Sequence, residues 1–150
     1  MRECEDVFYV VVGDGSDQQR LKQLARDLKV EDKVIFTGSV NNTHLFSYYQ
    51  GCDLFVLPST MEGFGIVFLE AMVHAKPCVA ALAGGVPEVI ENGKTGFLID
   101  LSKSDALGQA LLRLLRDEGL RQAMGKAGKS RLEQKFSFET FCGNLRKIIC

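Results

Sequence analysis

Short apolar runs alternate with amphipathic stretches along the whole chain. Residues 7–13, VFYVVVG, are rich in β-branched and aromatic side chains and close at Gly13-Asp14-Gly15, so they predict a strand ending in a turn. Ser16 or Asp17 then stands where a helix cap belongs, ahead of Leu21, Leu24, Ala25 and Leu28 at helical spacing. KVIFTG (33–38) predicts a second strand, and the residues after it a short helix with Leu45, Phe46 and Tyr49 on one side. DLFVLPS (53–59) predicts a third strand, ended by Pro58. IVFLEAMVHA (66–75) predicts a helix whose end Lys76 marks ahead of Pro77, and PCVAA (77–81) a fourth strand. Beyond the Gly84-Gly85 turn come a short helical piece near Glu88 and a last strand, GFLI (96–99). From Ser104 onward the pattern is helical, in three pieces.

Strands flanked by helices at this rhythm mean βαβ units, hence an α/β domain with a Rossmann-like parallel sheet covered on both faces and a helical C-terminal tail. No linker, low-complexity tract or internal repeat interrupts it, and 150 residues suit one domain. In such a sheet, ligands bind beyond the carboxyl ends of the strands, where helix N-termini point. Three loops leave strand ends with glycines or small residues: 13–15, 38–40 and 59–65. In the third, Gly63 and Gly65 let backbone amides approach a ligand where a helix begins, which makes a ready anion site. Purely conformational glycines in an α/β turn are the plainer alternative.

Two glutamates frame that helix start, Glu62 and Glu70, in EGFGIVFLEA. Glu70 falls in the second turn with its side chain leaning toward the helix N-terminus, and Glu62 lies in the loop at the mouth. Were 62–70 one continuous helix, the two would be separated by a rise of ~12 Å at ~1.5 Å per residue. Glycosidase carboxylate pairs stand ~5 to 9.5 Å apart across one bond. The spacing therefore argues for two acids touching different parts of one elongated ligand, with the helix N-terminus between them. A ribose, diphosphate and sugar in series has that layout, and carboxylates accept hydrogen bonds from hydroxyl-rich groups.

Composition removes several other classes. With 18 basic and 19 acidic residues the formal charge is −1, so there is no electrostatic footprint for nucleic acid and no polybasic membrane patch. No apolar run approaches ~20 residues, so no membrane span is expected. The opening MRECED lacks the apolar region of a signal peptide, and a cytoplasmic location is expected. The five cysteines, Cys4, Cys52, Cys78, Cys142 and Cys150, form no C-x-x-C pair. They read as reduced thiols, not as a disulfide framework or zinc site, and no metal-ligand cluster is visible. His44 and His74 have no partner pattern. Glu88 reads as a locally bonded acid, and 113–135 as solvated helix faces.

The run from Asp53 to Leu98, DLFVLPSTMEGFGIVFLEAMVHAKPCVAALAGGVPEVIENGKTGFL, resembles the C-terminal, donor-binding domain of retaining glycosyltransferases of the GT-B fold, family-4 type. Their E-x7-E hallmark stands here as Glu62 and Glu70, flanked by VVGDG, VIFTGSV, GGVPE, TGFL and FSFE in the family's order, from about residue 7 to 140. The resemblance implies hexosyl transfer from a nucleotide diphosphate sugar (a UDP- or GDP-sugar) to an acceptor hydroxyl, with anomeric configuration kept, no cofactor and no bound metal. By the same resemblance, Glu70 takes the ribose hydroxyls, and Glu62 contacts the transferred sugar as the catalytic-site acid. The backbone at Gly63, Phe64 and Gly65 lies along the sugar, amides at Ile66 and Val67 meet the diphosphate, and the Val40 backbone holds the base edge.

The pattern also departs from the family. The usual first strand and GR…KG loop, whose basic residues neutralise the diphosphate, have no match here, and neither does the N-terminal acceptor domain. Charge stabilisation is commonly the largest catalytic contribution, so the isolated chain is expected to be inactive. The last helix, 137–150, is expected to carry an exposed apolar face. A non-catalytic nucleotide-sugar-binding module, completed by a separate acceptor subunit, is one alternative. A nucleotide-sugar epimerase is another, and a nicotinamide-binding protein a third, disfavoured because GDGSDQ lacks G-x-G-x-x-G spacing.

Overall fold

The structure, a computed structural model, describes residues 7–149. Cys4, Cys150 and the MRECED opening lie outside them. The chain forms two compact units, Met1–Tyr48 and Tyr49–Cys150, with the boundary inside one helix.

In the first unit, strand β1 (Tyr9–Val12), helix α1 (Gln18–Asp27) and strand β2 (Val34–Gly38) form a βαβ unit, with a single 3-10 turn at Glu31–Lys33 before β2. β1 and β2 pair in parallel, from Tyr9 opposite Val34 to Val12 opposite Gly38. Asp17 takes the cap position of α1, but its side chain caps no amide. Its carboxylate instead accepts two hydrogen bonds from Arg20, at 2.7 and 2.6 Å, which hold its pKa below the usual carboxylate value. A bidentate guanidinium is the stronger competitor for that acid. The next helix, α2 (Asn42–Gly51), is capped by Asn41, whose side chain accepts from the His44 amide at 2.9 Å. The expected apolar side of α2 is narrower than its pattern suggested: Tyr49 is 5% exposed, whereas Phe46 is 52% exposed.

In the second unit, β3 (Phe55–Leu57), β4 (Cys78–Ala81) and β5 (Gly96–Ile99) form a three-stranded sheet in that order, all parallel. Within each unit the strands are parallel, as expected, but they are hydrogen-bonded as a pair and a triplet instead of one continuous sheet. All four residues of the central strand β4 are buried, because helices cover both faces. On one face Val79 and Ile99 pack with Leu114 of α5 (Ala106–Arg116) and Met124 of α6 (Glu118–Lys135). The other side carries α3 (Ile66–Val73), whose Phe68, Ala71 and Met72 are fully buried at i, i+3 and i+4. Phe68 meets Phe55 edge-on at 5.6 Å, and the Cys78 thiol points to the Phe68 carbonyl. Burial pushes that thiol's pKa well up, so it is a core group, as expected.

Helix α3 ends with Ala75 in the left-handed region (φ 52°), and the Lys76 amide bonds back to the Ala71 carbonyl at 3.1 Å. Lys76 therefore does mark the helix end, and its ammonium donates to the Gln50 carbonyl at 2.8 Å. The short helix α4 (Val86–Val89) is held at its C-terminus by Arg131 of α6, which donates to the carbonyls of Glu88 (2.7 Å) and Val89 (2.8 Å). The final helix, α7 (Phe138–Ile149), presents Phe138, Phe141 and Leu145 outward, the expected apolar face. No helix of the described residues is long and apolar enough to cross a membrane.

Thr95 is the one buried polar residue among those described; its hydroxyl oxygen accepts from the Glu91 amide at 2.9 Å. Thr95→Val keeps the shape and strands that amide, which is expected to destabilise the protein by about 1–3 kcal/mol. Urea unfolding of the two proteins measures it, and equal midpoints would remove this bond from the account.

Candidate functional site

The site lies at the carboxyl end of β3, in the loop that leads into α3. Gly65 is the N-cap of α3 with φ 84°, a left-handed backbone. A Cβ there would also stand 2.7 Å from the Phe68 ring, so glycine is required on both counts. Ile66 and Val67 follow as the first two helical residues, and their amides have no carbonyl one turn back to donate to. Ile66 is 64% exposed, so this positive end of the helix faces outward.

Gly84 and Gly85, in the loop after β4, hold the loop that carries Glu62. The Gly85 amide donates to the Gly63 carbonyl at 2.9 Å. Gly84, with φ 53°, comes so close that a Cβ would lie 2.1 Å from the Glu62 carbonyl oxygen. Phe64 rests edge-on against Phe136 at 5.9 Å, so its ring turns to the end of α6 while its backbone stays at the helix entrance. The expected stretch from Glu62 to Val67 is thus one pinned segment.

The two acids stand in different settings. The Glu62 side chain is half-buried and makes no hydrogen bond or ion pair among the described residues. Glu70 is also half-buried, but its Oε2 accepts from the Tyr49 hydroxyl at 2.9 Å. The same hydroxyl lies 3.5 Å from the Val67 carbonyl, so the carboxylate is held against its own helix. Burial, with the Glu70 carboxylate beside it, pushes the Tyr49 phenol pKa well above its ordinary value. Glu70 Oε1 has no protein donor among the described residues.

Val40 belongs to the first unit, just beyond the end of β2 and ahead of α2. Glu62, Gly63, Phe64, Gly65, Ile66, Val67 and Glu70 are brought together within the second. Sequence reasoning missed Tyr49 as the partner of Glu70, and Gly84 and Gly85 as the clamp on Glu62. The first had one available signal, a tyrosine instead of a phenylalanine at a buried helix position. Among the described residues there is no group of three or more His, Cys, Asp or Glu that could hold a metal ion. His74, half-buried, stacks on the Tyr49 ring at 5.9 Å.

Known proteins share the sequence and fold of this chain. Residues 1–131 match the family described as glycosyl transferases group 1. A GDP-mannose-dependent alpha-(1-6)-phosphatidylinositol monomannoside mannosyltransferase of Mycobacterium tuberculosis is 34% identical over 155 residues, which cover 99% of this chain and 40% of the relative. The Anabaena protein HepE, solved in complex with UDP-glucose, is 29% identical with a TM-score of 0.84, over 97% of this chain and 41% of that one. The C-terminal domain of a group 1 glycosyl transferase from Francisella tularensis is 28% identical with a TM-score of 0.79, over 87% of this chain and 70% of that one. The chain spans well under half the length of the curated relatives it matches. Its fold is that of the C-terminal half of a GT-B glycosyltransferase, and by sequence and structure alike the chain belongs to the group 1 glycosyl transferases.

Proposed function

We propose that this chain is the donor-binding half of a retaining hexosyltransferase, taking a nucleotide diphosphate sugar in an extended pose across the start of α3. The observation that carries this reading is the placement of Glu62, two outward amides and Glu70 on one pinned segment. Glu70 receives the ribose hydroxyls on its open oxygen. The amides of Ile66 and Val67 meet the diphosphate, whose charge the helix N-terminus favours. Glu62, with no protein partner among the described residues, receives hydroxyls of the transferred sugar.

This arrangement acts by charge placement. Amides already aimed at the diphosphate need no reorganisation as its charge grows during bond cleavage. The Gly84-Gly85 clamp fixes Glu62 where the sugar must be presented to the acceptor, which is the positional part of catalysis. HepE was solved with UDP-glucose and the mycobacterial relative is GDP-mannose-dependent, so both bases are candidates for this chain.

Titration with UDP, GDP, ADP and their glucose or mannose conjugates, followed by melting temperature, tests the reading. Ligand at ~100 times its dissociation constant adds ~2.7 kcal/mol of stability. The expected result is a rise with one base, lost in Glu70→Ala. A folded sample that responds to none of them would overturn donor binding by this chain.

A further inference from the structure

We propose that Tyr49 is a positioning residue of the donor site: its hydroxyl holds the Glu70 carboxylate in the orientation that adjacent ribose hydroxyls can use. The inference rests on the reading of Glu70 given above, and concerns how that acid is kept ready.

A glutamate left to itself spreads over several rotamers, and ordering it would be charged to each binding event. Here the ordering is done in advance. Tyr49 is 5% exposed, and its ring is wedged between Phe55 (5.5 Å, tilted by 55°) and His74 (5.9 Å, near-parallel at 7°). With the ring confined on two sides, the hydroxyl has a fixed place. It has one hydrogen to give, and the nearer acceptor is Glu70 Oε2 at 2.9 Å, against 3.5 Å to the Val67 carbonyl. A carboxylate offers about four acceptor positions, and Tyr49 occupies one. The rest of Oε2 and all of Oε1 stay open among the described residues, enough for two adjacent hydroxyls. Because burial raises the phenol pKa, the group stays a donor throughout the neutral range. Phenylalanine would fill the same packing space, so the hydroxyl is the part that packing does not explain.

The test compares wild type, Tyr49→Phe, Glu70→Ala and the double variant by calorimetric titration with UDP and GDP and with their 2′,3′-dideoxy forms. Tyr49→Phe keeps the ring contacts to Phe55 and His74, and its melting temperature checks that the fold is intact. Loss of a group that orients a ligand-holding side chain weakens binding by about tenfold or more. The expected result is about a tenfold loss for the ribonucleotide in Tyr49→Phe, no loss for the dideoxynucleotide, and no further effect of Tyr49→Phe once Glu70 is alanine. Equal weakening for both sugars in Tyr49→Phe, or none for either, while Glu70→Ala costs affinity for the ribonucleotide alone, would overturn the role of Tyr49 and leave the donor site standing. If Glu70→Ala weakens both sugars equally or neither, or wild type binds neither nucleotide, the donor site falls with it.

Discussion

Gly84→Ala is expected to destabilise the protein by roughly 2–5 kcal/mol, from left-handed strain and overpacking together. The residue has φ 53°, and the new methyl carbon would stand 2.1 Å from the Glu62 carbonyl oxygen, a backbone atom with no rotamer to move. Gly93 offers the matching control, since it too is left-handed (φ 77°) but has open space where a Cβ would be. Gly93→Ala should therefore cost only the conformational part, about 1–2 kcal/mol. Urea unfolding of the two variants separates strain from clash, and a Gly84 variant no worse than the Gly93 variant would refute the clamp. The clamp also has a functional side. Relief of the clash must displace the backbone at Glu62, so the contribution of the donor's sugar should fall while that of the nucleotide persists. Comparing affinity for the free nucleotide and for its sugar conjugate checks this.

Glu70→Ala is expected to weaken nucleotide binding by about a hundredfold, roughly 2.7 kcal/mol. Hydrogen bonds from two hydroxyls to a charged acceptor, at ~1.5–3 kcal/mol each, supply that loss. A second effect goes with it. The Tyr49 hydroxyl would be left with the Val67 carbonyl at 3.5 Å as its nearest acceptor, so the variant should also lose about 1 kcal/mol of stability. Glu70→Gln keeps an acceptor for Tyr49 and removes the charge, so it should retain stability while still binding nucleotide more weakly. A Glu70→Ala protein that binds UDP or GDP as tightly as wild type would show that the ribose sits elsewhere.

Both predictions concern contacts of quite different legibility in the chain itself. EGFGIVFLEA could be read directly, because the loop, the helix start and both acids lie within ten consecutive residues. The strands were legible for a similar reason: β-branched runs closed by glycine or proline mark themselves locally, and β5 spans the predicted 96–99. Capping was less so. Asp17 stands at the cap position, but its choice between an amide and Arg20 is a contest between nearby partners that the pattern leaves open. Phe46 showed the limit of periodicity, because its neighbours Leu45 and Tyr49 suffice to define the inward side of α2.

What the sequence determined alone is therefore local: the order and type of the elements, the glycine-framed entrance to α3, and the two acids at its ends. Their signals come from residues within a few positions of each other, where chain geometry leaves few choices. Tertiary structure decided which distant groups make those acids usable. Tyr49 meets Glu70 across 21 positions, and Gly84 meets Glu62 across the whole of α3 and β4. Such contacts depend on how the helix and the strands pack, and neither a hydroxyl on a buried ring nor a glycine in a turn announces its partner in advance.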